Sequence, residues 1–215
     1  MTQAYCWTDH YRLFLLQLYL RKPVGIKPLY SRPMIELCLE LHIPPRVLFA
    51  KMCELALPST PSVERLWQRY GTNTRRLGKA VAKLRGMRGF GAAGDFYGGV
   101  ELNETWEKDY RPVCADSRIT PLGLTLILDL YFRLTPATMV PETPEVQELA
   151  RLTGTTAAEV ADILDIYLHI DPYMERNSVV FSPLLSECQR IWNRYADMEQ
   201  PAFAAKADSM KDYFR

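Results

Sequence analysis

A segment of 25 residues occurs twice in this chain, without a gap, and this repeat restricts the folds that the chain can adopt. TPSVERLWQRYGTNTRRLGKAVAKL at 60–84 aligns with TPEVQELARLTGTTAAEVADILDIY at 143–167. Six aligned positions are identical: Thr60/Thr143, Pro61/Pro144, Val63/Val146, Leu66/Leu149, Gly71/Gly154 and Thr72/Thr155. In each copy a proline opens one amphipathic helix, a Gly-Thr pair ends it, and a second helix follows. The sequence therefore predicts helices at 61–70, 73–86, 144–153 and 155–169.

Other segments extend this helical pattern. The strongly apolar Tyr11–Arg21 predicts a largely buried helix, and its LQLYLR at 16–21 is echoed by LDLYFR at 128–133. A third, more divergent helix pair with a Pro-Pro break covers Pro33–Leu41 and Pro44–Leu57. A short final helix is predicted at Ala202–Phe214.

Two short segments that follow the repeated helix pairs are typical of β-hairpins. Gly98-Gly99 lies between Asp95–Tyr97 and Val100–Leu102, which is the pattern of a two-residue hairpin loop. Behind the second copy, a polar tip separates Pro172–Met174 from Val179–Phe181. Each predicted hairpin leads into another predicted helix with a similar aromatic pattern, Trp106 and Tyr110 in one case and Trp192 and Tyr195 in the other.

A helix-turn-helix followed by a small hairpin is the plan of a winged helix, and the chain resembles tandem winged-helix proteins over Arg46–Tyr110 and Pro121–Tyr195. The resemblance implies a mainly α fold with two winged-helix-like units at 44–115 and 119–215, and an N-terminal helical extension at 1–43 that packs on the first unit. The whole chain is also similar to a group of bacterial proteins to which no activity is assigned.

Composition indicates a cytoplasmic protein without a membrane segment. The five cysteines are scattered and never occur as C-x-x-C, which fits a reducing compartment and disfavours both a disulfide framework and a cysteine zinc site. The longest apolar stretch, Leu13–Leu20, is too short to span a bilayer. The formal net charge of +1 points to no polyanionic partner, so such a partner has to be argued from a local patch.

The first repeat carries such a patch. Between Arg65 and Arg88 there are eight basic residues and no acidic one. Arg75, Arg76, Lys79 and Lys83 share one face of the second helix, and apolar residues occupy another. In a winged helix this second helix enters the major groove of DNA, and its cations contact phosphates. The predicted nucleic-acid-binding residues are Arg75, Arg76, Lys79, Lys83, Arg85 and Arg88.

The matching helix of the second repeat reverses this charge. Glu159 stands in the place of Arg76 and Asp162 in the place of Lys79, and Asp165 adds a further negative charge. We therefore expect a non-catalytic nucleic-acid-binding protein, with duplex DNA as the possible ligand, whose second unit contacts a protein partner or a second copy. The alternative is a scaffolding protein with degenerate winged-helix units, in which the basic stripe is only a solvated helix face.

No motif for a cofactor, a metal or catalysis stands out. Gly89–Gly94 spells G-x-G-x-x-G, but a dinucleotide site needs this turn between a strand and a helix, whereas here a helix precedes it and a hairpin follows. The sequence therefore predicts a flexible loop, with simple anion binding as a lesser alternative. His10, His42 and His169 have no metal-ligand spacing. We expect no cofactor, no metal and no enzymatic activity.

Overall fold

The computed structural model describes residues 7–57, 60–87, 90, 106–114, 118–174 and 181–215, and helices dominate these ranges while strands do not occur in them. The prediction of a mainly α fold is confirmed. The chain divides into two compact units, unit 1 at Met1–Asn103 and unit 2 at Glu104–Arg215. Unit 1 contains α1 Tyr11–Leu20, α2 Arg32–Leu41, α3 Pro45–Ala56, α4 Pro61–Tyr70 and α5 Thr74–Arg85.

Unit 2 has the same number of α-helices in its described part: α6 Pro121–Tyr131, α7 Pro144–Thr153, α8 Ala157–Ile170, α9 Leu185–Tyr195 and α10 Gln200–Met210. Short 3-10 turns lie at Trp106–Tyr110, Pro136–Thr138 and Lys211–Tyr213. Proline occupies the first or second position of α2, α3, α4, α6, α7 and α10. Its fixed φ and missing N–H suit the first turn of a helix, which explains these clean starts.

The predicted helices agree with those found, but the predicted hairpins are not part of what the structure shows. The predicted 61–70 and 144–153 match α4 and α7, and the second helix of each pair differs from its prediction by one or two residues. The first hairpin, at 95–102, lies outside the described residues. Of the second, Pro172–Met174 form a turn rather than a strand, and 175–180 lie outside the described residues.

One apolar helix forms the centre of each unit. In unit 1, α1 packs against α2, α3 and α5, and its Phe14, Leu15 and Leu16 are buried completely or nearly so. In unit 2, α6 is buried along its whole length and packs against α7, α8, α9 and α10. Because both central helices are almost entirely apolar, covering them on several sides removes a large hydrophobic surface from water.

The three helices α1–α3 of unit 1 correspond to α6–α8 of unit 2. A shift of 112 residues places α2 on α7 residue for residue and starts α3 where α8 starts. In both units the first helix packs on the second and third, and these pack on each other. The turn also corresponds, because His42 (φ 53°) and Gly154 (φ 72°) both adopt the left-handed conformation that ends a helix.

The α4 and α9 helices also correspond, through a match that the sequence repeat did not include. VERLWQRY at 63–70 aligns with CQRIWNRY at 188–195. The Trp67 ring lies edge-on to Tyr19 of α1, 5.4 Å between centroids, and Trp192 lies edge-on to Tyr131 of α6, 5.9 Å between centroids. Tyr19 and Tyr131 are themselves one of the pairs related by 112 residues.

The last helices of the units, α5 and α10, correspond with a shift of 126 residues, which matches Leu77 and Val81 with the equally buried Phe203 and Ala207. Each of these two helices packs on the central helix of its unit. By the sequence match, the buried pairs and the tryptophan–tyrosine contact, α4–α5 correspond to α9–α10, although the sequence repeat paired them with α7–α8. Their packing differs, since α9 packs on α6 and α8 whereas α4 packs mainly on α5. The repeat found α7–α8 because a proline start, a glycine end and a shared apolar spacing are local signals that any helix pair of this kind carries.

The segment with Trp106 and Tyr110 is likewise not the counterpart of α9. It forms a single 3-10 turn before α6, whereas the counterpart of Trp192 is Trp67. Spacing of aromatic residues alone could not separate these two cases, since both segments pair a tryptophan with a nearby tyrosine.

Replacing Gly154 with alanine tests the turn between α7 and α8. A Cβ at φ 72° approaches the backbone carbonyl, and we expect the free energy of unfolding to fall by about 1–2 kcal/mol. Gly86→Ala is the matched control, because Gly86 ends α5 at φ −82° with only ordinary contacts for a Cβ. Urea unfolding measures both, and an equal loss in the two variants would contradict the assignment.

Buried hydroxyl and thiol groups predict that unit 2 loses stability in base. Burial raises the pKa values of Tyr131 and Tyr167 above the usual tyrosine value and raises the pKa of Cys188 to about 12. These groups stay protonated in the folded chain at pH values where the unfolded chain ionises. Their contribution is therefore complete below the unfolded pKa values, about 8.5 for Cys and 10 for Tyr, and is lost as the pH rises above them.

We expect the free energy of unfolding to fall between pH 8 and pH 11, and to fall less steeply in Tyr131→Phe, which cannot ionise at this position. The Tyr131 hydroxyl donates to Asp171 Oδ2 at 2.7 Å, so the variant starts from a lower stability. Urea unfolding measures the free energy of unfolding at pH 8 and at pH 11, and the difference between these two free energies is compared between the variant and the unmodified chain. An unchanged pH dependence in the variant would exclude Tyr131 as a contributor.

Candidate nucleic-acid interface

The basic stripe of unit 1 lies on the exposed side of α5. Asn73 caps this helix, since its side-chain oxygen accepts a hydrogen bond from the Arg76 backbone N–H at 2.9 Å. Leu77 and Val81 are buried and fix the rotation of the helix. All described members of the stripe are consequently exposed: Arg75, Arg76, Lys79, Lys83 and Arg85. Arg88 lies outside the described residues.

An aromatic ring at the end of α4 holds one member of the stripe beside a second arginine. The guanidinium carbon of Arg76 lies 5.7 Å from the centre of the Tyr70 ring, and that of Arg69 lies 5.4 Å from it. A cation over a ring face is weakly attracted to it and keeps its donors free for another partner. The charge of α5 therefore continues onto the last turn of α4.

Arg85 differs from the other four cations because its charge is already neutralised. Its Nε donates to Glu40 Oε1 at 2.5 Å, and a second guanidinium nitrogen donates to Oε2 at 2.7 Å. This side-chain hydrogen bond raises the pKa of Arg85. A bidentate pair of this kind anchors the end of α5 to α2. We infer that Arg85 stabilises the packing of these helices and adds little to the attraction of a polyanion.

Within the described residues of unit 1, the other acidic groups do not neutralise the stripe. In the described part of unit 1, Asp9 pairs with Arg12, Glu36 with Arg32, and Glu54 with Lys51. Within the same ranges no carboxylate lies within ion-pair distance of the four other cations: Arg75, Arg76, Lys79 and Lys83. Their charges face the solvent without compensation from these acidic groups.

The net charge of the whole chain hides a strong separation of charge between its units. Unit 1 contains 15 Lys and Arg against 7 Asp and Glu, a net of +8, whereas unit 2 contains 11 against 18, a net of −7. The near-zero total therefore gave no hint of a polyanion partner. Counting charges separately for the two halves of the sequence would have revealed the difference.

Unit 2 has no basic stripe at either place where one could correspond to α5. In α10, the counterpart of α5 by the shift of 126 residues, Ala202, Ala205 and Ser209 replace Arg76, Lys79 and Lys83. The acidic side of α8 is exposed as its sequence suggested, at Glu159 and Asp162 among others. Glu159 also caps its own helix, because its carboxylate accepts hydrogen bonds from the backbone N–H and the hydroxyl of Thr156 in a capping box. These hydrogen bonds lower the pKa of Glu159.

Other candidate chemistry receives little support from the part of the chain that the structure describes. There, no group of three His, Cys, Asp or Glu side chains could hold a metal, and no helix is both long and apolar enough to cross a membrane. Of the G-x-G-x-x-G segment only Phe90 is described, and its ring stacks on Phe14 of α1 at 5.0 Å. The rest of that segment lies outside the described residues.

Comparisons with known proteins returned no match: no protein-family model, no curated protein and no solved structure is similar to this chain.

The Arg85–Glu40 pair predicts a gain of polyanion binding when it is broken. Glu40→Gln releases the Arg85 charge beside Lys83 on α5, at a cost of about 1 kcal/mol or less in stability because the pair is solvent-exposed. We expect the variant to elute from immobilised heparin at higher salt than the unmodified chain. Glu54→Gln on α3 removes the same charge away from the stripe, and an equal shift in this control would refute a specific effect.

Proposed function

We propose that the chain binds nucleic acid without a catalytic step, through the exposed face of α5 in unit 1. The observation that supports this best is the row of four cations that no described acidic residue of unit 1 neutralises: Arg75, Arg76, Lys79 and Lys83. Positively charged side chains at this spacing neutralise backbone phosphates and release condensed counterions. The net charge of +8 on unit 1 adds long-range attraction.

Duplex DNA is the ligand that the geometry of α5 fits best. In the proposal, α4 and α5 act as the helix-turn-helix of a winged-helix-like unit, and α5 is the helix that enters the major groove. Two features support this use of α5: residues 74–76 of its first turn are exposed, and only two residues of the helix are buried. The free thiols of Cys38, Cys53, Cys114 and Cys188 fit the reducing cytoplasm, where we place the protein.

A salt-dependent DNA titration tests this function. We expect the affinity for a duplex to fall steeply as salt is added, and we expect Arg76→Ala with Lys79→Ala to weaken binding roughly tenfold or more. These changes introduce the residues that α10 carries at the corresponding positions, so the helix should remain intact. The loss of two phosphate contacts should also lower the slope of log K against log salt by about 2.

The control variant is Lys22→Ala with Arg46→Ala, which removes two exposed charges of unit 1 that are not on α5. It should lower the affinity only slightly, and both variants should show the melting temperature of the unmodified chain. If the folded chain binds no duplex even at low salt, or if both variants lose affinity equally, the proposed interface is wrong.

Unit 2 supports a second candidate function, the binding of a protein partner or of a second copy. Tyr173 and Phe181 leave 92% and 94% of their surface in solvent, a large exposure for two aromatic residues near each other in sequence. Unit 2 also carries a net charge of −7, which favours contact with a basic surface such as unit 1 of another copy. Sedimentation at low and high salt separates the candidates, because scaffolding by self-association requires oligomers in the absence of DNA.

A further inference from the structure

In unit 2, Asp109 lies beside two arginines of one helix, and Arg194 binds it directly. Arg194 donates from its guanidinium to both oxygens of Asp109, at 2.9 and 3.1 Å. Arg190 donates from Nε to Glu187 Oε2 at 2.5 Å, and its second nitrogen lies 3.7 Å from Asp109 Oδ1. Both arginines belong to α9, one turn apart, and Asp109 belongs to the 3-10 turn that precedes α6. The pair therefore fastens an acidic turn onto the side of a helix.

Unit 1 carries the same two arginines at the corresponding places. In the match between α4 and α9, Arg65 corresponds to Arg190 and Arg69 to Arg194. Their surroundings also agree: Arg69 lies 5.4 Å from the centre of the Tyr70 ring, and Arg194 lies 5.3 Å from that of Tyr195. The arginine pair is thus repeated together with its helix, its tyrosine and the neighbouring tryptophan.

The aspartate is the part that unit 1 lacks within its described residues. Arg65 and Arg69 are exposed, and no carboxylate of these ranges lies within ion-pair distance of either. The Arg65 Nε only donates to the Pro61 carbonyl of its own helix, at 3.1 Å. The arginine pair therefore contacts carboxylates in unit 2, whereas its counterpart has no carboxylate partner within the described residues of unit 1.

A second contact of the acidic turn has an exposed counterpart as well. Next to Asp109, the Tyr110 ring packs on Tyr213, with 5.1 Å between the centroids. The shift of 126 residues that relates α5 to α10 places Met87 at the position of Tyr213, and half of Met87 (52%) is open to solvent. A thioether is a good neighbour for an aromatic ring, and Met87 is the residue of unit 1 that corresponds to the ring partner Tyr213.

We propose that Arg65 and Arg69 form a binding site for a partner protein, and that the site takes an aspartate followed by an aromatic residue in a short turn. The carboxylate lies between the two guanidinium groups, and the aromatic ring packs on Met87. This chemistry is that of Asp109 and Tyr110 in unit 2. A carboxylate, rather than a phosphate, is the group that the repeated arginine pair holds in this molecule.

This site adjoins the stripe on α5, because Arg69 and Arg76 lie against the same Tyr70 ring, but it uses different cations and does not depend on DNA binding. The stripe consists of cations that follow one another along α5, whereas Arg65 and Arg69 lie one turn apart on α4. Because the two proposals use different residues, separate variants on α4 and on α5 let either proposal fail without the other.

A synthetic peptide of residues 104–112, ETWEKDYRP, labelled with fluorescein, tests the site in the full chain. We expect saturable binding that added salt weakens, because the contact is an ion pair. Replacing the aspartate of the peptide with asparagine should weaken binding roughly tenfold, since the neutral amide loses the charge-assisted bonds. Arg65→Gln with Arg69→Gln in the chain should weaken it by a similar factor.

Two comparisons make the result specific. Lys22→Gln with Arg46→Gln removes the same charge elsewhere in unit 1 and should leave peptide affinity within about twofold, because exposed charges at a distance are screened. Arg76→Ala with Lys79→Ala should lower DNA affinity and spare the peptide. The proposal is overturned if the unmodified peptide does not bind, if the asparagine peptide binds equally well, or if the α4 variant loses only DNA affinity, in which case the pair serves phosphate.

Discussion

The burial of one apolar helix in each unit is the constraint on which the other elements depend. Fully burying a large aliphatic or aromatic side chain contributes about 1.5–3 kcal/mol, and α1 and α6 each supply several such residues. A helix that is apolar on most sides needs neighbours on most sides, so the remaining helices of the unit surround it. Their outer faces are free to differ, which is how two units built around a similar central helix come to carry opposite charge.

The sequence predicted helices well because their boundaries depend on local chemistry. A proline at 61 and at 144, and a glycine at 71 and at 154, mark starts and ends that the structure reproduces almost residue by residue. The correspondence between the units depended on tertiary contacts instead. Trp67 and Trp192 each pack edge-on against the tyrosine of a central helix, and that relation is not visible in a 25-residue repeat.

The same distinction applies to the candidate site. The exposed face of α5 followed from helical periodicity, since Leu77 and Val81 had to point inward. The neutralisation of Arg85 could not be predicted from periodicity, because Glu40 lies 45 residues away in sequence and contacts Arg85 only in the folded chain. Arg65 and Arg69 are visible in the basic run of the sequence. Their proposed role as a carboxylate site was inferred only from the structure, in which Arg194, the counterpart of Arg69, binds Asp109.

The segregation of charge also changes how the molecule behaves as a solute. With a sequence pI of about 7.6, the chain carries almost no net charge near neutral pH, yet each half is strongly charged. Such a protein adsorbs to cation and anion exchangers alike, each through a different unit. Opposite units of neighbouring molecules attract one another in dilute buffer, so its solubility rises when moderate salt screens that attraction. Purification conditions chosen from the pI alone would therefore mistake a charged, bipolar molecule for a neutral one.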